Sequence, residues 1–271
     1  VRPTREQLSS LSPNERITFE IADFLARPEL APLSAGWTSA VTGGVIWTCA
    51  GRRLNIVGLE HVQRFHKRDS FVLVANHRSF FDFFIISAIL YWRTNVSKRM
   101  FYPTRGTFFY DQPLGTAVNL VMSAGRMFPP VLREKEKRSF NRYSLERCLE
   151  ELNVPGTILA LHPEGTRNKG NNPYQLLKAQ PGAGRLALSG KPTIPVFILG
   201  MTNSLGLEFI NNWARPAPNP IDVFFGPPVD VAALQGKASQ LRAQVEAGER
   251  CIEAIRALGE AQKAYAVRRI P

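Results

Sequence analysis

His77 and Asp82 stand five positions apart in the stretch FVLVANHRSFFDFF, residues 71–84. A carboxylate beside an imidazole fixes its tautomer and stabilises the imidazolium, which makes the ring a general base. The pair also has an ordinary reading, a helix-capping Asp and an incidental loop His, because this spacing arises often by chance. Further along comes a second polar group, His162-Pro163-Glu164-Gly165-Thr166-Arg167. Gly165 lets the backbone approach a ligand closely or take a positive φ. Arg167 offers a planar fork that suits a phosphate, and Thr166 adds a hydroxyl donor. The ordinary reading here is a turn with a surface arginine.

In this order, each after a short apolar run, NHxxxxD and PEGTR resemble the glycerolipid acyltransferases of the lysophosphatidic acid acyltransferase (PlsC-like) family. The resemblance runs from about Asn55 to Pro228 and includes a Gly-Leu-Glu-x-Val step at Gly58. It implies transfer of a fatty acyl group from acyl-CoA or acyl-carrier protein to a hydroxyl of a lysophospholipid or glycerol phosphate. Lysophosphatidic acid, giving phosphatidic acid, is the favoured acceptor. His77 would take the proton of the attacking hydroxyl while Asp82 orients the ring, with backbone N–H groups around Asn76 to Ser79 holding the oxyanion. The acceptor itself attacks, so no protein nucleophile, metal or cofactor is required, and no GxSxG elbow occurs in the chain. Arg167, with Lys178 or Arg105, would hold the acceptor phosphate, and Glu164 would fix Arg167 or the loop. Members commonly carry a GxxF block with an arginine six residues after the glycine. Here Gly125-Arg126-Met127-Phe128 is followed by Pro129-Pro130, and Val131 occupies the arginine position. Gly125, Phe128 and Arg133 complete the candidate substrate contacts, Arg133 in place of the missing charge. Two alternatives stay open: a catalytically silent, membrane-lipid-binding member of the same fold, and an acyltransferase for a non-glycerophosphate acceptor.

These groups need a scaffold that ends strands beside one another. Phe71–Ala75, Thr157–Leu161, Thr193–Leu199 and Ile221–Phe225 read as short buried strands, and Arg99–Thr104 as another. Pro195 inside one of them predicts an edge strand or a bulge. Helices are expected over residues 13–26, 80–92, 111–124, 134–151 and 237–265, with Ser79 capping the second and placing Asp82 in its first turn. Strands alternating with helices predict an α/β domain with a mixed, mostly parallel sheet flanked by helices, its chemistry at the carboxyl ends of the strands. Residues 55–235 form this core, and residues 236–271 an amphipathic helix packed on it, through Leu241, Val245, Ile252, Ile255 and Leu258. Residues 168–173 are expected to form a mobile cover over the site.

Residues 1–54 are read as a helical, membrane-contacting segment. Ile17, Ile21, Phe24 and Leu25 make a stripe expected to pack on the body of the protein. Trp37, Trp47, Arg52 and Arg53 have the composition of an interfacial segment, although Gly43-Gly44 weakens any helix there. The net charge of +12 demands anionic company. An anionic membrane surface and phosphorylated substrates meet it. Nucleic acid is set aside, because the basic residues are scattered and form no recognition-helix, OB or RNP pattern. No apolar run is long enough to span a bilayer. Three scattered cysteines (Cys49, Cys148, Cys251) fit a reducing compartment. The expected location is therefore the cytoplasmic face of a membrane, peripheral or monotopic. The sequence opens on Val1, which leaves a leader or anchor upstream open.

Overall fold

The computed structural model describes residues 1–216 and 218–268. Six strands, β1 (Leu54–Val57), β2 (Phe71–Ala75), β3 (Arg99–Phe101), β4 (Thr157–Leu161), β5 (Thr193–Leu199) and β6 (Ile221–Phe225), form one sheet in the order β1-β6-β5-β2-β4-β3. Every neighbouring pair is parallel except β5 with β6, so the fold is α/β with a mixed, mostly parallel sheet. The central strand β2 is buried throughout, which is why it reads as a continuous apolar run. Side chains alternate along it. Val72 and Val74 join one core, with Phe101, Phe140 and Phe197. Phe71, Leu73 and Ala75 join the other, with Ile85, Ile158 and Ile194.

The longer helices are α1 (Pro13–Leu25), α2 (Ala31–Ala50), α3 (Asp82–Arg93), α4 (Arg138–Asn153), α5 (Pro181–Ala187), α6 (Leu205–Trp213) and α7 (Leu241–Arg268). The first core lies under α1, α4, α5 and α7. The second lies under α2 and α3, and α6 packs on α2. Residues 107–122 wind irregularly, partly as π-helix, instead of forming one regular helix.

Several expectations are corrected. Pro195 lies in an interior strand, because its missing N–H faces β6 past that strand's last paired residue, at Val196↔Phe225. On the same side, the Pro195 carbonyl accepts from the N–H of Gly226, where the neighbouring chain leaves the sheet. In α1 the expected stripe is turned outward: Ile17, Ile21 and Phe24 are exposed, and Phe19 and Ala22 are buried. Phe19 wins the inside position through ring contacts with Phe128, Phe140 and Tyr143. Helix α2 runs unbroken through Gly43-Gly44. A methyl group at Gly43 would strike the Trp92 indole, so this glycine lets α2 and α3 cross closely. Arg53 is buried and paired with Glu208, out of reach of any headgroup. In α7, Ile252 and Ile255 are buried, whereas Leu241 and Val245 face solvent.

Candidate active site

Strand β2 stops because Asn76 spends its side chain on the sheet. Its Nδ2 donates to the Ile198 carbonyl at 2.9 Å, and its Oδ1 accepts from the Ile198 N–H at 2.8 Å. The chain then swings away from β5 and presents His77. Asp82 opens α3, and its Oδ2 accepts from the N–H groups of Arg78 and Ser79, both at 2.8 Å, and lies 3.1 Å from His77 Nδ1. Asp82 thus ties the 77–79 loop back to the start of α3, whose N-cap position, Phe81, has no side-chain cap. The expected cap, Ser79, instead accepts from the N–H of Phe81 and donates to the Thr202 carbonyl. The three-fold bonding at Oδ2 assigns the Nδ1 hydrogen to the Asp82 side of the ring and leaves His77 Nε2 as the basic atom.

Asp82 is only 2% exposed. Burial raises its pKa above the ordinary carboxylate value, against the opposing pull of His77 and the two backbone donors. These bonds, with one to Glu164, take three of the four N–H groups of the expected oxyanion hole. The N–H groups of Arg78 and Ser79 are spent on Asp82, and that of His77 on Glu164 Oε1 at 2.9 Å.

The second loop leaves β4, which lies beside β2 in parallel register (Val74↔Leu161). His162 follows at once and stacks on His77, with ring centroids 3.8 Å apart and planes 6° from parallel. Phe83 covers its other face at 3.9 Å. The Nδ1–H of His162 points to the Ala75 carbonyl at 2.9 Å. Burial, then the neighbouring His77, hold its pKa well below the usual range, so it stays neutral. His77, Asp82 and His162 lie close enough together to suggest a metal ligand set. The two stacked rings argue otherwise, since in-plane lone pairs on parallel rings do not converge on one ion.

Glu164 is buried and joins both halves of the site, taking the His77 N–H on Oε1 and the Leu177 N–H on Oε2 at 2.8 Å. Burial raises its pKa too, opposed by these two bonds. Asn168 ties the same loop to the His77 carbonyl through its N–H at 2.9 Å, so the segment expected to be a free cover is anchored at its first residue.

Beside this cluster lies a cavity of about 650 Å³, whose lining includes Arg105, Arg133, His162, Glu164, Gly165 and Thr166. Leu145, Leu161 and Leu186 give it an apolar wall. Arg133 reaches the Gly165 carbonyl at 3.4 Å. His77 does not line the cavity directly, but touches two residues that do, His162 by stacking and Glu164 by its backbone bond.

The remaining candidates fall elsewhere. Arg167 donates to Asn203 Oδ1 at 2.6 Å, an oxygen that also accepts the N–H of Phe80. It thus ties its loop to the approach of α3 and stands apart from the cavity. Lys178 is exposed and does not line the cavity. Gly125 takes a positive φ of 74° against α1, and Phe128 is fully buried between Phe19 and Phe101. Both are elements of packing.

Three residues at the site carry no role in the sequence reading: Asn76 as a strand terminator, His162 as a stacking ring, and Asn203 as an anchor. Only His162 leaves a local trace, a histidine directly after an apolar strand, as at Asn76-His77.

No curated protein matches the chain. A family model described as "Acyltransferase" matches residues 53–199, more than half of the chain, and covers both loops, β1 to β5 and the cavity's arginines. The chain therefore belongs to that acyltransferase family, the family of the PlsC-like glycerolipid acyltransferases.

Proposed function

We propose that this acyltransferase moves a fatty acyl group from acyl-CoA or acyl-carrier protein to the hydroxyl of a lysophospholipid or glycerol phosphate, with lysophosphatidic acid as the preferred acceptor. The observation that carries the reading is the buried Asp82 carboxylate held 3.1 Å from His77 Nδ1. His77 Nε2 takes the proton of the acceptor hydroxyl as its oxygen attacks the thioester carbonyl. A C–O bond forms, the C–S bond breaks, and the imidazolium returns the proton to the departing thiolate. Asp82 stabilises the imidazolium between these steps. His162 and Glu164 keep the ring and its backbone in place.

The acceptor reading draws on the cavity. Arg105 and Arg133 at its rim suit a phosphate, and its leucine wall suits an acyl chain. The surface supports a membrane partner. All four tryptophans of the chain, Trp37, Trp47, Trp92 and Trp213, lie on or against α2 and are 40–54% exposed. Arg52 stacks over Trp213 and Arg93 over Trp47. Aromatic rings with cations beside them are what headgroup depth favours. No helix among the described residues is long and apolar enough to cross a membrane, so the contact proposed is with the surface.

The test is thiol release from acyl-CoA and acyl-carrier protein over lysophosphatidic acid, glycerol 3-phosphate, other lysophospholipids and an uncharged monoacylglycerol. Turnover restricted to phosphorylated acceptors and lost in His77→Ala is the expected result. Undiminished turnover by His77→Ala overturns the mechanism, and equal turnover of the uncharged acceptor overturns the substrate class.

A further inference from the structure

Residues 107–122, TFFYDQPLGTAVNLVM, begin two positions after Arg105 at the cavity rim. They hold a single charged side chain, Asp111, which accepts from Ser12 Oγ at 3.0 Å. The segment is turned inside out. Asn119 is fully buried, its Oδ1 taking the Met127 N–H at 3.2 Å, and Tyr110 is buried with its hydroxyl on the Met127 carbonyl at 2.6 Å. Leu114 and Val121 are 70% and 54% exposed, and Phe108, Phe109 and Val118 partly so. Apolar side chains gathered outward over buried polar ones mark a surface that meets something other than water. The π-helical winding is a form concentrated at functional sites.

One end of this strip meets the catalytic loop. Phe80, three residues past His77, is partly exposed, and its ring lies 5.5 Å edge-on from Phe108 and 5.7 Å stacked from Phe109. Gly115 packs so close that a methyl group there would strike the Phe108 carbonyl, which brings the backbone of Leu114 alongside. The other end is seated on α2, where the Val121 carbonyl accepts from the Trp37 indole and the Met122 carbonyl from Thr42 Oγ1. The strip thus leads from the loop of His77 to the tryptophan-bearing helix.

Two hydrocarbon chains are present at once in the acyl transfer proposed above, on which this inference rests: the acceptor's own and the one being transferred. The cavity has one leucine wall. We propose that residues 107–122, with Phe80, form a separate track for the acyl chain of the lysophospholipid acceptor, running from the membrane surface at Trp37 to His77. The transferred chain occupies the cavity. A phosphate at Arg105 and a chain over Phe108, three residues on, are then held by adjoining parts of one segment, and the chain reaches the site without being exposed to water.

Photolabelling of the full chain tests it, with a diazirine at the chain terminus of lysophosphatidic acid or of acyl-CoA, followed by peptide mapping. The acceptor probe should mark residues 107–122 or Phe80, and the donor probe the cavity wall at Leu145 to Cys148 and Ala183 to Leu186. In detergent micelles, Leu114→Ser with Val121→Ser should lower the ratio of kcat/KM for long-chain over short-chain lysophosphatidic acid about 10-fold, with donor chain preference unchanged. Trp213→Ser, on the membrane face but off the track, should leave that ratio unaltered. An acceptor label in the cavity, an unchanged ratio in the double variant, or an equal drop in Trp213→Ser overturns the track alone. Failure to turn over any lysophospholipid overturns the proposed function with it.

Discussion

Replacing Asp82 by Asn separates what this residue does for turnover from what it does for folding. The carboxylate accepts from three donors through one oxygen, His77 Nδ1 at 3.1 Å and two backbone N–H groups at 2.8 Å. Asn keeps an oxygen for the two backbone donors, so the start of α3 is retained. It loses the charge that stabilises the imidazolium and the fixed tautomer that leaves Nε2 free. A charge-assisted bond becomes at best a neutral one, a loss of about 1 to 2 kcal/mol. The wrong tautomer and the lost charge act on top of this, as in the serine-protease triad, where the same change costs about 10⁴ in kcat. A decrease of about 10² to 10⁴-fold in kcat with little change in acceptor KM is therefore expected. Stability should move the other way. Burial raises the pKa of Asp82 in the folded state, so the folded chain binds a proton more readily than the unfolded one. Its contribution falls as pH rises from the unfolded value through the raised folded value, which is the cost of charging the buried carboxyl. Asp82→Asn removes that cost and should melt no lower than the parent at pH 7, with the gap narrowing below the unfolded pKa. Thiol release under saturating donor and a pair of melting curves at pH 3.5 and 7 suffice. Activity within fivefold of the parent would refute the dyad, and a large neutral-pH destabilisation would refute the reasoning about burial.

Arg133→Ala should lose about 10 to 150-fold in kcat/KM on phosphorylated acceptors and little on an uncharged monoacylglycerol, as expected for a hydrogen bond to a charged group. Arg167→Ala should show small and equal losses on both, because its bond goes to Asn203; a phosphate-selective loss there would move the acceptor site. Arg53→Ala leaves the buried Glu208 without its cation and should destabilise the fold by about 3 to 5 kcal/mol in denaturant titration, while vesicle binding by any folded fraction is unchanged. Trp37→Ser with Trp213→Ser should weaken co-sedimentation with anionic vesicles at every salt concentration without lowering turnover of a soluble short-chain acceptor. Unchanged sedimentation would place the membrane contact elsewhere.

The strands were legible because burial on both faces of a parallel sheet demands uninterrupted apolar runs, and FVLVA, TILAL and IDVFF are such runs. Their spatial order was not. That β2 lies between β4 and β5 is set by pairings across more than eighty and a hundred residues, to which no local pattern answers. The amino-terminal helices misled for a related reason. Periodicity found the apolar stripe of α1, but Phe19 alone, facing the other way, meets an aromatic cluster waiting for it. Arg53 reads as an exposed cation beside a tryptophan-rich helix, and its buried partner Glu208 is far along the chain. Helix propensity condemned Gly43, whereas close packing of α2 on α3 requires it.

At the site, the sequence identified the dyad through local spacing, since five residues across a strand-to-helix turn suffice to bring His77 and Asp82 together. The expected oxyanion site around Asn76 to Ser79 meets a physical obstacle. The N–H groups that Asp82 takes, those of Arg78 and Ser79, belong to the loop that precedes α3. Asp82 holds this loop and His77 through a single oxygen, and Glu164 takes the His77 N–H, so three of the four N–H groups of residues 76–79 are already committed. In the proposed mechanism, most of the charge stabilisation of a tetrahedral intermediate would then come from outside the NHxxxxD loop. The cavity that adjoins it is rimmed by the second loop and by Arg105 and Arg133, elements that only the parallel pairing of β2 with β4 brings alongside. The proposed division of labour follows from that pairing: one strand end holds His77, the proposed proton acceptor, and its neighbour borders the cavity proposed to take the substrate.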